Sequence, residues 1–152
     1  MASNTQAPSQ IENLLTTSPH QHQNKPTPLH RASQFGTQET VRFLTDEQHC
    51  DPLCKDKSGN TPLHWAALSG RLDILKFFIS ERHCNPEFRG QFGRTPLHHA
   101  SQEGHLSVVM YLTDEQHVDP SCRDENGTTP LHLASQFGTI RSFSMLHAII
   151  DD

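Results

Sequence analysis

The chain has 152 residues, 33% of them hydrophobic, and carries 12 Lys+Arg against 17 Asp+Glu for a formal charge of −5. That acidic balance argues against a surface that neutralises nucleic-acid phosphates, and no apolar run approaches the roughly 20 residues of a membrane-spanning helix. The apolar content is thin for one deep core, but it suits a row of small units that each bury a layer against a neighbour.

The amino-terminal stretch MASNTQAPSQIENLLTTSPHQHQNK lacks the basic start and long apolar segment of a secretory signal. The expected address is therefore the cytosol or nucleus. Residues 1–25 are rich in Gln, Asn, Ser, Thr and Pro, so they are expected to form a disordered head. Within it, Ile11–Leu15 offers at most a brief helical turn.

From Pro26 onward the chain repeats. Thr-Pro-Leu-His begins at Thr27, Thr61, Thr95 and Thr129, one copy every 34 residues. This divides the region 26–152 into units 26–59, 60–93 and 94–127 and a truncated 128–152. Glycines recur at Gly36, Gly70, Gly104 and Gly138, and alanines at Ala32, Ala66, Ala100 and Ala134. A period of this size marks stacked repeats.

The second unit reads physically from its start. Thr61 is a good N-cap and Pro62 suits the first helical position, where a missing N–H costs nothing. The spacing predicts a short helix from Pro62 to about Ser69, ended by Gly70. A second helix follows over about Leu72 to Ser80, with Leu72, Leu75, Phe78 and Ile79 near helical spacing. A polar, glycine-containing connection comes next. In the third unit that connection carries Asn126-Gly127, a strong hairpin-tip signal.

The strings GNTPLHWAALSGRLDILKFFI at 59–79 and GRTPLHHASQEGHLSVVMYL at 93–112 resemble the ankyrin repeat family, and the likeness extends over 26–147. It implies an all-α solenoid of stacked helix-turn-helix units with projecting β-hairpin-like loops. One departure stands out: the family unit is about 33 residues long. The extra residue falls near Thr113–His117, where His49, His83 and His117 take a place usually held by glycine, and an extended last turn is expected there.

The four repeated histidines could be ligands or scaffolding. Equivalent residues of neighbouring units sit roughly 10 Å apart, whereas zinc needs nitrogens about 2.0–2.1 Å from one ion. His30, His64, His98 and His132 are therefore expected to be structural, one ring nitrogen near the Thr hydroxyl and the other on the adjoining loop. Cys50 and Cys84 share one repeat position with Val118, and Cys54 and Cys122 share another with Phe88. Positions that exchange Cys with Val or Phe read as packing sites holding reduced, inert thiols. No zinc spacing, nucleophile elbow or phosphate loop is present in the sequence. The chain is accordingly read as neither an enzyme nor a carrier of a metal or cofactor, and no small-molecule substrate is expected.

What varies between copies is the candidate binding surface. Lys57, Gln91 and Glu125 share one loop-tip position, Ser58, Phe92 and Asn126 the next, and Asn60 and Arg94 follow. On the first helices Arg31, Trp65, His99 and Leu133 vary together. So do Leu68 and Gln102, and Phe35, Glu103 and Phe137. By resemblance to ankyrin proteins these residues line a concave groove that binds another protein, with Trp65, His99 and Phe92 at its centre, and Trp65 packed inside the stack as the alternative. The competing reading is a segment of a larger ankyrin-repeat scaffold, motivated by the apolar Phe143, Leu146, Ile149 and Ile150 where an end unit is normally polar.

Overall fold

The computed structural model describes residues 26–151; the expectations for the head fall outside them. Among the described residues, eight α-helices alternate between an inner and an outer row. The inner helices are α1 (Pro28–Phe35), α3 (Pro62–Leu68), α5 (Pro96–Glu103) and α7 (Pro130–Gln136). The outer helices are α2 (Gln38–Asp46), α4 (Leu72–Lys76), α6 (Leu106–Met110) and α8 (Ile140–Asp151). Each inner helix packs on the next inner helix, and each outer helix on the next outer one. The fourth stretch, read as truncated, carries a full pair of helices.

The core follows the repeat. Ala32, Ala66, Ala100 and Ala134 are fully buried between inner helices, where a small side chain lets backbones approach. Leu29, Leu63 and Leu97 fill the layer beside them, and Val41, Leu75 and Val109 face them from the outer row. Burying each Leu or Val contributes about 1.5–3 kcal/mol.

The second helices differ from their sequence reading in an informative way. α4 and α6 each widen into a π-turn, over Phe77–Glu81 and Tyr111–Glu115. The Arg82 N–H reaches back five residues to the Phe77 carbonyl (3.3 Å), and that of Gln116 to Tyr111 (3.1 Å). α2 ends with the same bond, from the Gln48 N–H to the Phe43 carbonyl at 3.2 Å. His49, His83 and His117 follow with φ of 54°, 56° and 54°, the left-handed region that disfavours a residue with a Cβ. The additional residue of the 34-residue period is thus absorbed as one wide turn and a left-handed histidine.

No strand forms among the described residues, and the connections are hairpin-like only in closing on themselves. Each is one closed turn. The Asp56 N–H donates to the Asn60 carbonyl, Gly90 to Arg94 and Asp124 to Thr128, each at 2.9 Å. Asp56 Oδ1 accepts from the backbone N–H groups of Ser58 and Asn60, both at 2.9 Å, and Asp124 Oδ1 from those of Asn126 and Thr128. A short aspartate bonding ahead to its own backbone replaces the strand ladder.

Candidate partner-binding surface

The Thr-Pro-Leu-His segment builds the floor on which the surface rests. In every copy the Thr N–H donates to Nδ1 of the histidine three residues on, at 3.0–3.1 Å. A backbone N–H can only donate, so Nδ1 is bare and Nε2 carries the proton. Nε2 then donates to a loop carbonyl: from His30 to Asn60 at 2.8 Å, from His64 to Phe88 at 2.9 Å, and from His98 to Thr128 at 2.9 Å. The arrangement is a capping box with imidazole in place of the usual Glu or Gln, extended by a bond that ties each inner helix to the loop entering the next. His132 makes the same contacts with Thr129, at 3.0 Å from both its N–H and its hydroxyl, but its ring is exposed.

Burial lowers the pKa of His30 and His98 and takes His64 down to about 4. These rings are neutral near pH 7, and in His30, His64 and His98 both nitrogens are engaged. The thiols are equally quiet. All four cysteines are free, with Cys50, Cys84 and Cys122 buried and Cys54 half-buried. Burial raises Cys54 and Cys84 to about 11. Cys54 lies 3.4 Å from the Thr27 hydroxyl and 3.9 Å from His30 Nδ1, but a protonated thiol beside a neutral imidazole is no nucleophile.

The variable first-helix position is largely an internal one. His99 is only 8% exposed and Leu133 only 1%, so neither presents itself to a partner as the sequence reading placed them. The His99 ring meets that of His64 edge-on, with centroids 5.7 Å apart, and burial takes its pKa to about 3. Trp65 is half-buried; its edge meets His30 at 5.7 Å and its Nε1 donates to Asp56 Oδ2 at 2.9 Å. Trp65 and His99 thus each pack against the imidazole of the preceding unit. Arg31, at the start of the row, is exposed.

The exposed members gather at the loop tips and the ends of the inner helices. Lys57, Glu125 and Asn126 are exposed at the tips, with Ser58 and Gln91 half-exposed; Phe35, Glu103 and Phe137 are exposed at the helix ends, with Leu68 and Gln102 half-buried. Phe92 stands out. It is 51% exposed and held at φ 57°, followed by Gly93 at φ 71°. Its carbonyl accepts the Glu125 N–H of the next loop at 2.9 Å. Arg94 places its guanidinium 5.6 Å from the Phe92 ring centre and donates from Nε to Asp124 Oδ2 at 3.1 Å. Burial alone would raise the Asp124 pKa, but hydrogen bonds from Thr128, Arg94 and Asn126 hold it below the ordinary value.

Several residues that order this surface were not singled out from sequence. Asp56 and Asp124 organise the first and third loops. In the second loop Gly90 takes their place, and Asn60 Oδ1 from the preceding loop accepts the Gln91 N–H at 2.9 Å. A Cβ at Gly90 would lie 2.2 Å from that oxygen, so an aspartate there would push the Asn60 side chain off the Gln91 N–H. Arg89 donates to the carbonyls of Gly93 and Arg123, at 2.8 and 2.6 Å, linking loops two and three. The repeat comparison contained a signal for Asp56 and Asp124, which occupy one register position two units apart.

No helix among the described residues is long and apolar enough to cross a membrane. None of the curated proteins compared with the chain matches it. A family model described as Ankyrin repeats (3 copies) matches residues 1–89 and 77–151. With its paired helices, closed loops and Thr-Pro-Leu-His boxes, the chain belongs to the ankyrin repeat family.

Proposed function

We propose that the chain is a non-catalytic protein-binding module whose contact surface is the row of loop tips and inner-helix ends centred on Phe92. Ankyrin repeats are in general protein–protein interaction modules, which supports the coarse reading. The observation that carries the finer one is Phe92 itself: a large apolar ring, half in solvent, on a backbone tied to both neighbouring loops. A held aromatic loses little entropy on binding, and aromatic and Arg side chains dominate interface energetics. Arg94, Gln102, Glu103, Lys57, Glu125 and Asn126 supply a polar rim around it. His99 and Leu133 serve as support beneath that surface, and Trp65 contributes only the face it leaves exposed. The partner is a protein met in the cytosol or nucleus, with no nucleic acid or small-molecule substrate involved.

A Phe92→Ala chain tests this. Crosslinked pull-down from the native cell should recover a defined partner with the unaltered chain and lose it with the variant, whose melting temperature stays within a few degrees. Equal recovery by both would remove Phe92 from the contact.

A scaffold segment is the second reading. It is favoured by Ile140, which is 75% exposed at the start of α8.

A further inference from the structure

The three turns are charged unevenly. The first two, 55–60 and 89–94, hold Lys55, Lys57, Arg89 and Arg94 against a single acid, Asp56. Asp56 is only 9% exposed and spends Oδ1 on the N–H groups of Ser58 and Asn60 and Oδ2 on Trp65. The third turn, 123–128, reverses the balance, with Arg123 against Asp124 and Glu125. Arg94 reaches forward to Asp124. Lys55, Lys57 and Arg89 are then exposed cations that pair with no carboxylate among the described residues. Two exposed acids, Asp51 and Glu87, precede these turns, and the Asp51 carboxylate accepts the Leu53 N–H at 2.9 Å.

Neutral groups hold two of these cations in place. The Lys55 ammonium lies 5.0 Å from the centre of the Phe88 ring, and Arg89 Nη1 donates to the Gly93 and Arg123 carbonyls at 2.8 and 2.6 Å. An aromatic face and backbone oxygens fix the position of a charge without cancelling it. Arg89 is thereby tied to the residue after Phe92, and the Arg94 guanidinium lies 5.6 Å from the Phe92 ring centre. Lys55 and Arg89 share one register position, so they stand about one unit apart, roughly 10 Å. An extended chain, at about 3.3 Å per residue, covers that distance in about three residues.

We propose that the partner docks an acidic, extended peptide segment across the first two turns, with an apolar side chain closing on Phe92. Carboxylates about three residues apart meet Lys55 and Arg89, and Lys57 takes one beside them. The acids lie on one side of the apolar residue, because Asp124 and Glu125 repel them on the other. The proposal rests on the reading of Phe92 as the centre of a protein-binding surface, and adds the chemistry and the direction of what binds there. Charge contacts of this kind select the partner and speed its arrival more than they tighten the complex.

Selection of random phage-displayed peptides, about a dozen residues long, on the full chain tests this. Enriched sequences should carry Asp or Glu about three residues apart on one side of an apolar residue. The corresponding synthetic peptides should lose affinity as salt rises. The double variant Lys55→Glu, Lys57→Glu should bind them roughly tenfold more weakly, and Lys55→Gln, Lys57→Gln should show a smaller loss. Arg141→Glu, which reverses an exposed cation on α8, should leave binding unchanged. Enriched peptides that are lost on Phe92→Ala but carry no acids, or that ignore both double variants, would overturn the acidic segment and leave the Phe92 surface standing. Peptides that ignore Phe92→Ala would remove both. The proposal also falls if no peptide family is enriched, or if oligothymidylate binds as tightly with the same sensitivity to the variants, since the turns would then be reading phosphate.

Discussion

His64 and His132 begin from the same four residues and finish in different surroundings. Each accepts the N–H of its threonine through Nδ1. His64 is then closed in by the Phe88 and Arg94 carbonyls and the edge of His99, whereas the His132 ring stays in solvent. The tetrapeptide itself makes the helix cap. The neighbouring unit, some thirty residues away, turns the cap into a buried structural tie. Local sequence thus sets which hydrogen bonds form, and stacking sets what they are worth.

Acid separates the buried histidines from His132 most strongly. Above pH 6.5, the ordinary histidine value, folded and unfolded chains both hold the buried imidazoles neutral, and stability is flat with pH. Below it the unfolded chain takes up protons that the folded chain refuses. Stability therefore falls as pH drops, by up to about 1.4 kcal/mol per pH unit for each such histidine, until the folded value is reached. For His64 that window runs from 6.5 down to about 4 and for His99 down to about 3, with His30 and His98 adding to it. Urea unfolding at a series of pH values should show a steep loss between pH 6.5 and 4; a flat profile there would mean these rings are open to water.

Single substitutions separate the two sites as well. His64→Ala leaves the Thr61 N–H and a loop carbonyl without partners and opens a void, costing about 3 kcal/mol. His132→Ala removes the same cap contacts from an exposed site and costs under about 1 kcal/mol. Matched urea curves measure both, and equal losses would show that the neighbouring unit adds nothing to the tie. A smaller effect is expected at Trp65→Phe, which keeps the ring against His30 but deletes the bond to Asp56, for about 1–2 kcal/mol. An unchanged denaturation midpoint would place the indole bond outside the folded chain's needs.

The fold was largely legible because its signals are short-range. Thr-Pro at a helix start, glycine at a helix end and a fixed 34-residue period each act within one unit, and equal units with apolar faces must stack. The extended last turn was legible in the same way, as a surplus residue beside a histidine in a glycine's place. The surface was less so. Variation between copies picked out Phe92, Lys57 and Glu125, whose side chains are exposed. It misled at His99 and Leu133, because a position facing the next unit varies with whatever that unit presents.

The repeat, the helix pairs, the capping role of the four histidines and the packing positions of the cysteines were readable from the order of residues alone. Hydrogen bonds three or four residues apart, and the side chains that make them, are fixed along the chain. Packing between units settled that His99 and Leu133 are buried, because the atoms that cover them come from residues far apart in sequence.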